Sequence, residues 1–244
     1  MRILVACEYS GRVRDAFIRA GHDAVSCDIL PSESDFGPHL RVDVRALLNR
    51  QWDMVIAFPP CTHLAASGAR WWAEKRASGQ QQEAVDFFMA ITNANAPRIA
   101  IENPVGFMST AWRKPDQIIH PWEHGHGEQK KTCLWLKGLP LLQPSHVVDG
   151  REQRIWKMPG GPNQAKKRSL TYMGIAQAMA DQWGKLLAPV EALTRIRDAR
   201  DQHAETGEYP EYPLGPDEFQ AFDDWAADVA DLGLPASLDW GVKK

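Results

Sequence analysis

The chain has 244 residues, of which 44% are hydrophobic and 24% are charged, a composition that excludes a wholly disordered protein and can fill the core of an ordinary globular domain. No apolar run approaches the roughly 20 residues of a membrane helix, so no membrane span is expected. The N-terminus lacks a signal-peptide pattern and the four cysteines are scattered, so we expect a cytoplasmic protein with reduced thiols.

Charge is distributed unevenly along the chain. Residues 190–244 hold 13 acidic and 5 basic residues, a net of −8, and the remainder carries 23 basic and 18 acidic residues, a net of +5. A positive body suits a phosphate-bearing substrate. The acidic end predicts an amphipathic helix docked on the core, with a partner-binding helix as the alternative, because apolar residues recur there at helical spacing: Phe219, Phe222, Trp225, Val229 and Leu232.

Predicted strands and helices alternate along the chain. This alternation predicts an α/β fold, with a mostly parallel sheet, helices on both faces and a ligand site beyond the carboxyl ends of the strands. A strand at 2–7 is followed by a helix at 11–20, strands at 23–27 and 52–58, a helix at about 80–93, a strand at 98–101 with a turn at 102–104, a strand and turn at 133–142, and a closing helix at about 171–187.

The strongest local signal follows the predicted strand at 52–58, where Pro59-Pro60 precedes Cys61. A thiol directly after a strand and a rigid proline pair is held at the rim of the sheet, whereas a structural cysteine usually lies inside the strand. Such a thiolate suits attack on an electron-poor carbon such as C6 of a pyrimidine, which makes C5 nucleophilic. For this short motif alone, a packing cysteine in a proline-rich turn is the alternative.

A second polar signal ends the strand at 98–101, where Glu102 is followed by Asn103. A carboxyl group at this place can hydrogen-bond N3 and the exocyclic amine of cytosine, although a lone Glu there is more often a cap or turn residue. Neighbouring parallel strands end at one edge of a sheet. The sequence therefore allows the thiol and the carboxyl to converge on one flat heterocycle.

Taken together, these motifs resemble the cytosine C5 DNA methyltransferase family, especially its short phage and prophage members. Pro60-Cys61 corresponds to the Pro-Cys nucleophile motif of the family, and Glu102-Asn103 to the Glu-Asn motif that binds the target base. The resemblance covers residues 1–188 and implies a Rossmann-like, S-adenosylmethionine-dependent methyltransferase fold. It implies that Cys61 attacks C6 of cytosine, that Glu102 supports N3, and that C5 receives the methyl group.

The resemblance also implies a cofactor site for S-adenosylmethionine. Residues 6–17 take the place of the family's glycine-rich loop, of which only Gly11 remains, while Asp28 matches the ribose-binding acid and Asp43 the acid near the adenine amino group. Gly174 begins a helix like the last motif. The residues implied in cofactor binding are Cys7, Glu8, Ser10, Gly11, Asp28, Ile29, Asp43, Val44, Pro59 and Gly174.

The basic motif of the family corresponds to residues 129–133, Gln-Lys-Lys-Thr-Cys. Lys131 takes the place of its first arginine and is expected to hold the base or its phosphate, whereas Cys133 replaces the second arginine. In duplex DNA the target base would have to be flipped out of the stack. The residues assigned to substrate binding are Pro60, Thr62, His63, Asn103 and Thr132. For His63, a plain loop histidine is the alternative.

Family members carry a long target-recognition region between the basic motif and the last motif, of which only residues 137–169 remain here. Sequence readout is therefore expected to be reduced. We divide the chain into a catalytic core at 1–188 and an acidic, largely helical extension at 189–244. Basic residues in the short recognition stretch suit phosphate contacts as well as a plain solvated loop: Lys157, Lys166, Lys167 and Arg168.

Three functions remain open at this point. The first is methyl transfer to cytosine in DNA, and the second is the same chemistry on a cytosine mononucleotide or a single strand, which the missing recognition region favours. The third is a nucleic-acid-binding or protein-binding module without catalysis, such as a decoy or anti-restriction factor. The degraded glycine-rich loop and Cys133 favour this third function.

Two further groups of residues have competing interpretations. His120, His124 and His126 look like metal ligands, but their spacing fits no standard metal site and we expect no metal. Trp71 and Trp72 are expected to pack in the core or a lid, and stacking on a base is the alternative.

Overall fold

The computed structural model describes residues 1–153 and 168–185. In these ranges the strands are β1 (Arg2–Ala6), β2 (Asp23–Cys27), β3 (His39–Leu40), β4 (Met54–Ala57), β5 (Arg98–Pro104), β6 (Gln117–Ile119) and β7 (Thr132–Lys137). The α-helices are α1 (Arg12–Arg19), α2 (Trp72–Ala77), α3 (Gln80–Thr92), α4 (Met108–Ala111) and α5 (Met173–Trp183). Short 3-10 helices lie at Val44–Ala46, Ala66–Trp71 and Pro121–Glu123.

All the strands of the described ranges join one sheet in the order β3-β2-β1-β4-β5-β7-β6. The pairs from β3 to β5 are parallel, whereas β7 is antiparallel to both β5 and β6. The order 3-2-1-4-5 is that of a doubly wound sheet. The order in which successive strands are added reverses between β1 and β4, although these two strands are parallel. This topology confirms the predicted α/β class, a Rossmann-like fold with a mostly parallel sheet and helices on both faces.

The sheet separates two hydrophobic cores. Along β1 the side chains alternate, so that Ile3 and Val5 pack under α1 and α5 while Leu4 and Ala6 face the α3 side. All four are fully buried, as expected for a central parallel strand covered by helices on both faces. The apolar run at the start of the sequence is therefore a consequence of burial on two faces.

The largest shift of a predicted strand boundary is at the end of β5. β5 continues through Glu102 to Pro104, where a turn was expected, because the antiparallel strand β7 pairs with it residue by residue. Glu102 lies opposite Leu134, and Asn103 lies opposite Cys133. Both residues are therefore held by a ladder of backbone hydrogen bonds, with their side chains on opposite faces of the sheet.

A buried cation ties the loop after β2 to α1. Arg14 has no exposed surface, and its guanidinium group forms a 2.8 Å ion pair with Asp15. The same group donates to the hydroxyl of Ser26 at 3.0 Å and to the carbonyl oxygens of Ser34 and Pro38 at 3.1 and 3.2 Å. These bonds satisfy the buried charge and hold the segment that follows Asp28 against the helix.

No helix of residues 1–153 and 168–185 is long and apolar enough to cross a membrane. The predicted amphipathic helix at Phe219–Leu232 lies outside the described residues, as do most of the proposed extension and the basic residues Lys157, Lys166 and Lys167. The division of the chain at residue 188 therefore stays a prediction.

Replacement of Arg14 tests the importance of this buried network. Arg14→Met leaves Asp15 as an uncompensated buried anion, and we expect a loss of about 3–5 kcal/mol in the free energy of unfolding. Urea denaturation measures this loss. Arg19→Met is the matched control, because Arg19 is exposed on the same helix and lies over the ring of Phe36, so that its removal should cost less than about 1 kcal/mol. Equal losses in the two variants would contradict the assignment.

Candidate active site

Cys61 lies at the carboxyl end of β4, at the start of a tight turn. The backbone amides of Leu64 and Ala65 donate to its carbonyl oxygen at 3.0 and 2.9 Å, so the chain turns sharply as it leaves the sheet. The Cys61 side chain is half-buried, Pro59 is buried and Pro60 is exposed. The sequence prediction that a thiol lies at the rim of the sheet agrees with this geometry.

Glu102 lies beside this turn on the neighbouring strand. Ala57 of β4 pairs with Ile101 of β5, so the next residues, Phe58 and Glu102, also lie side by side. Glu102 is half-buried, and no hydrogen bond or ion pair holds its carboxyl group among the residues that the structure describes. A carboxyl group left unpaired at the edge of the sheet is available to a bound ligand.

A small cleft opens next to this carboxyl group. The wall on the sheet side is formed by Glu102, Phe58 and the start of β7, and the opposite wall by α5 and the residues that precede it. Its polar groups are a carboxyl, an ammonium and several hydroxyls, which can donate to and accept from a polar ligand. The lining residues are Phe58, Glu102, Lys130, Thr132, Ser169, Thr171, Tyr172, Ile175 and Met179.

Asn103 holds the loop that carries Cys61. Its side chain is 1% exposed, and its amide nitrogen donates to the carbonyl oxygen of Pro59 at 2.9 Å. The resemblance implied that Asn103 touches the substrate, but this amide is directed to the backbone of the Cys61 loop. Asn103 therefore positions the thiol from the adjacent strand.

Gly106 is a positioning residue that the sequence analysis missed. The amide of Phe107 donates to the carbonyl oxygen of Leu64 at 2.7 Å, and that of Ala66 to Val105 at 2.9 Å. A Cβ atom on Gly106 would lie 2.1 Å from the Leu64 oxygen, closer than any side chain can approach. The glycine soon after Glu102-Asn103-Pro104 was the available signal, because such a residue often marks close backbone approach.

Burial controls the ionisation of the thiol and the carboxyl. Desolvation raises the pKa of Cys61 above its ordinary value, Glu102 raises it further, and Lys130 lowers it. Desolvation likewise raises the pKa of Glu102, against the lowering effect of Lys130. At neutral pH the free thiol is therefore mostly protonated, and its reactivity should increase as the pH rises.

Lys131 and Lys130 occupy different surroundings. The charge of Lys131 acts on Cys133 and His120, and its side chain is exposed, whereas Lys130 lines the cleft with Glu102. The structure therefore does not bring Lys131, the basic residue expected from the resemblance, to the cleft, although Thr132 does line it.

The residues that follow Cys61 serve mainly to hold the loop. Thr62 is exposed, and its carbonyl oxygen accepts a hydrogen bond from Lys75 at 2.6 Å. The carbonyl oxygen of His63 accepts one from Gln81 at 3.3 Å. Nδ1 of His63 is buried without a hydrogen-bond partner among the described residues. The His63 ring therefore has a nitrogen available to hydrogen-bond a ligand.

The carboxyl ends of β1 and β2 form another part of the same edge of the sheet, where the cofactor residues were expected. Cys7 has a left-handed backbone with φ of 57°, uncommon for a residue with a side chain. Its pKa is raised by burial and then by Cys27, Asp28 and Asp43. The structure thus brings Cys7, Asp28 and Asp43 together at this edge.

Glu8 has a structural role in this loop. Its carboxylate accepts hydrogen bonds from the amides of Val13 and Arg14 at 2.8 and 3.3 Å, at the first turn of α1. The hydroxyl of Ser10 donates to the same group at 3.0 Å. These bonds occupy Glu8 and Ser10 inside the fold, and Gly11 has the positive φ of 73° that begins the helix.

The two aspartates of this edge differ in how many hydrogen bonds their carboxylates already accept. Asp43 accepts from the Arg45 amide and guanidinium, which lower its pKa, whereas Asp28 accepts from the Leu30 amide at 2.9 Å and has its pKa raised by burial. Beside them, Ile29 is 69% exposed and Val44 is buried. Asp28 is therefore the aspartate with more capacity for a ligand.

Gly174 packs against protein backbone. A Cβ atom there would lie 1.7 Å from the carbonyl oxygen of His124, and the Gly174 amide donates to Nε2 of His126 at 3.0 Å. This contact seats the start of α5 on the segment before β7. The glycine implied in cofactor binding is thus positioned by the two histidines.

The histidine segment and the tryptophan pair do not form sites of their own. In the described parts of the chain, no group of three or more His, Cys, Asp and Glu side chains is arranged to hold a metal ion. Trp72 packs edge-on against Phe107 with ring centroids 5.4 Å apart, and Trp71 is 50% exposed. Only one of the two tryptophans therefore has the packing role that was predicted.

Comparison with known proteins gives a remote match. No family model and no curated protein match the sequence. Solved structures do match, among them a protein encoded within a prophage of E. coli and named as a proposed DNA modification methyltransferase, with 14% sequence identity and a TM-score of 0.39. The match covers 60% of this chain and 51% of that protein, so this chain spans about half of its length. A similarity this remote does not establish a shared activity.

The close approach at Gly106 predicts the effect of a single methyl group. Gly106→Ala forces its new Cβ against the backbone of Leu64, and we expect a loss of about 1–3 kcal/mol in the free energy of unfolding together with a displaced Cys61 turn. Thermal denaturation measures the stability, and the rate of Cys61 alkylation reports the displacement. Val105→Ala, at the preceding and 39% exposed position, is the control. A Gly106→Ala protein as stable as this control would show that the contact is unimportant.

Proposed function

We propose that the protein transfers a methyl group from S-adenosylmethionine to C5 of cytosine in DNA, with Cys61 as the nucleophile. The observation that carries this proposal is the pair formed by Cys61 and Glu102 at the ends of adjacent parallel strands, with the carboxyl group unpaired beside the cleft. A thiol and a proton-sharing carboxyl are the two groups that addition to a pyrimidine ring needs.

The chain's own residues supply the activation of the ring. The Cys61 thiolate adds to C6, and Glu102 hydrogen-bonds N3 and the exocyclic amine, which stabilises the charge that develops on the ring. Carbon C5 then has the character of a carbanion. C5 would take its methyl group from bound S-adenosylmethionine, which leaves as S-adenosylhomocysteine. Loss of the C5 proton to a base and breaking of the bond between C6 and sulfur then restore the C5–C6 double bond and release Cys61 as a thiolate.

Burial of Glu102 supports this role. Because desolvation raises the pKa of its carboxyl group, Glu102 retains a proton at higher pH than a surface glutamate and can share it with N3. Asn103 maintains the distance between the two strand ends through its bond to the Pro59 carbonyl oxygen. Polar capacity, proton affinity and position therefore all support the same assignment.

The residues at the ends of β1 and β2 fit S-adenosylmethionine, which when bound supplies an electrophilic methyl group. Asp28 would accept hydrogen bonds from the ribose hydroxyls, because its carboxylate has lone pairs beyond the one used by the Leu30 amide. Asp43 and Cys7 lie at the same edge. Glu8, whose carboxylate caps α1, serves the loop rather than the cofactor.

Calorimetry with S-adenosylmethionine tests this cofactor site without any assumption about the substrate. We expect measurable binding to the wild-type protein, and Asp28→Asn should weaken it about tenfold or more, because a hydrogen bond to a charged group contributes about 1.5–3 kcal/mol. Asp35→Asn changes an exposed aspartate of the following loop and is the control. No binding to the wild-type protein would reject the proposal and favour a module without catalysis.

Nucleoside mass spectrometry on DNA from cells that express the protein tests the reaction. We expect 5-methyldeoxycytidine with the wild-type chain, none with Cys61→Ser, and a rate reduced about 10²- to 10⁴-fold with Glu102→Gln in assays of the purified enzyme. Glu83→Gln removes the charge of an exposed glutamate on α3 and should retain full activity.

The substrate alternatives are separate outcomes of the same assay. DNA that stays unmodified while dCMP or single-stranded DNA is methylated would keep the chemistry and change the substrate. Absence of methylated cytosine in all three substrates would reject methyl transfer.

A further inference from the structure

The cleft beside Glu102 contains one ammonium group whose position is set by the backbone. Lys130 lines the cleft together with Glu102 and Thr132, and its Nζ atom donates to the carbonyl oxygen of Arg168 at 3.2 Å. That oxygen belongs to the segment 168–172, which we call the strap, on the far wall of the cleft. The ammonium therefore lies between the strap and the sheet edge.

The strap is attached at further points. The guanidinium of Arg12 donates to the carbonyl oxygen of Thr171 at 2.7 Å, and the hydroxyls of Tyr9 and Ser169 are 3.2 Å apart. Within the described residues the strap therefore forms hydrogen bonds with three parts of the chain. These are Tyr9 in the β1–α1 loop, Arg12 at the start of α1, and Lys130 before β7. These attachments fix the carbonyl oxygen that orients Lys130.

The side chains of Lys130 and Lys131 lie in different surroundings. Lys130 and Thr132 line the cleft with Glu102, and Leu134, which lies opposite Glu102 in the ladder, packs in the core on the α5 side. The charge of Lys131 acts instead on Cys133, whose side chain packs in the core on the α3 side. Only Lys130 of the two therefore faces the cleft.

We propose that Lys130, and not Lys131, is the cation that stabilises the negative charge on Cys61 or Glu102 when either group is ionised. The proposal rests on Cys61 and Glu102 being the reacting groups of the proposed function. Two acidic groups buried at the same edge disfavour each other's ionisation, and one adjacent ammonium stabilises whichever of them carries the negative charge. Lys130 is a positioning residue for proton transfer, acting through the two groups beside it.

The groups that act on Cys61 come from three parts of the chain. Glu102 on β5 raises the pKa of the thiol, whereas Lys130 before β7 and Arg168 on the strap lower it, Lys130 more strongly. His63 follows in the same loop as Cys61. Loss of Lys130 should therefore reduce the thiolate fraction at a given pH, and loss of Arg168 should reduce it less.

Alkylation of Cys61 by iodoacetamide measures the thiolate directly, because the thiolate displaces iodide and the thiol does not. The rate is followed at Cys61 by peptide mass spectrometry between pH 6 and 10 in the full-length protein. At pH 8 we expect Lys130→Met to slow alkylation about tenfold, the effect of a one-unit rise in pKa, and to move the pH profile to higher pH.

Four variants separate charge from structure. Lys130→Arg keeps the positive charge and should retain most of the rate, and Arg168→Met should slow alkylation less than Lys130→Met does. Lys131→Met should have a wild-type pH profile, as should Lys137→Met, in which an ammonium bonded to the Ala96 carbonyl oxygen is removed from the far end of β7. Thermal denaturation of each variant identifies unfolding, which would expose Cys61, lower the pKa of its thiol and speed alkylation, the opposite of the slowing expected for Lys130→Met.

An unchanged profile in Lys130→Met, or an equal shift in Lys131→Met, would overturn the inference. Because alkylation needs neither substrate nor cofactor, this result is independent of the methylation assay. A Lys130-dependent profile in a protein that methylates nothing would keep the inference and reject the function. Methylation by a protein whose alkylation profile does not depend on Lys130 would keep the proposed function and reject the inference.

Discussion

The geometry of the site depends on one constraint, the parallel pairing of β4 with β5. This pairing aligns Ala57 with Ile101 and so brings together the ends of two strands that are far apart in the sequence. The loops beyond them are then joined by short contacts, from the Asn103 amide to Pro59 and from the Phe107 amide to Leu64. Cys61 and Glu102 have their mutual position because the backbone around them has little freedom.

The same pairing creates an electrostatic difficulty. A thiol and a carboxyl that share a partly buried edge both resist ionisation, since burial raises the pKa of each and the charge of Glu102 raises the pKa of Cys61 further. A positive charge nearby resolves this difficulty only if it faces the correct side of the sheet. Lys130, two residues before β7, lies on that side, where it lines the cleft with Glu102 and donates to the carbonyl oxygen of Arg168.

Much of this arrangement could be predicted from the sequence. The strand at 23–27 agrees with β2, and the predicted helices at 11–20 and 80–93 differ from α1 and α3 by one residue at their ends, because apolar periodicity and flanking glycines mark these elements clearly. The short strands β3 and β6 gave no such signal, since so few residues carry no period. Cys61 and Glu102 could be placed at neighbouring strand ends because parallel strands end at one edge.

Other features depended on contacts that no local pattern records. The surroundings of Lys130 depend on Glu102 and the strap, which lie on other segments, and the role of Glu8 requires knowledge that α1 begins within reach of its carboxylate. Gly106 was missed because its partner, Leu64, belongs to a different loop. In each case the residue can be read from the sequence, but the residue that it contacts is known only from the three-dimensional fold.

The way the strap is attached has a consequence for how this site can diverge. Lys130 and Arg12 both hold it through main-chain carbonyl oxygens, those of Arg168 and Thr171. Any residue supplies such an oxygen, so strap side chains other than Ser169 and Tyr172, whose hydroxyls bond Tyr9 and Glu128, can change without loosening its attachment. Related chains can therefore vary the surface that one wall of the cleft presents to a ligand, provided that the two cations are retained. The strap is a place where selectivity can evolve at little cost to the fold.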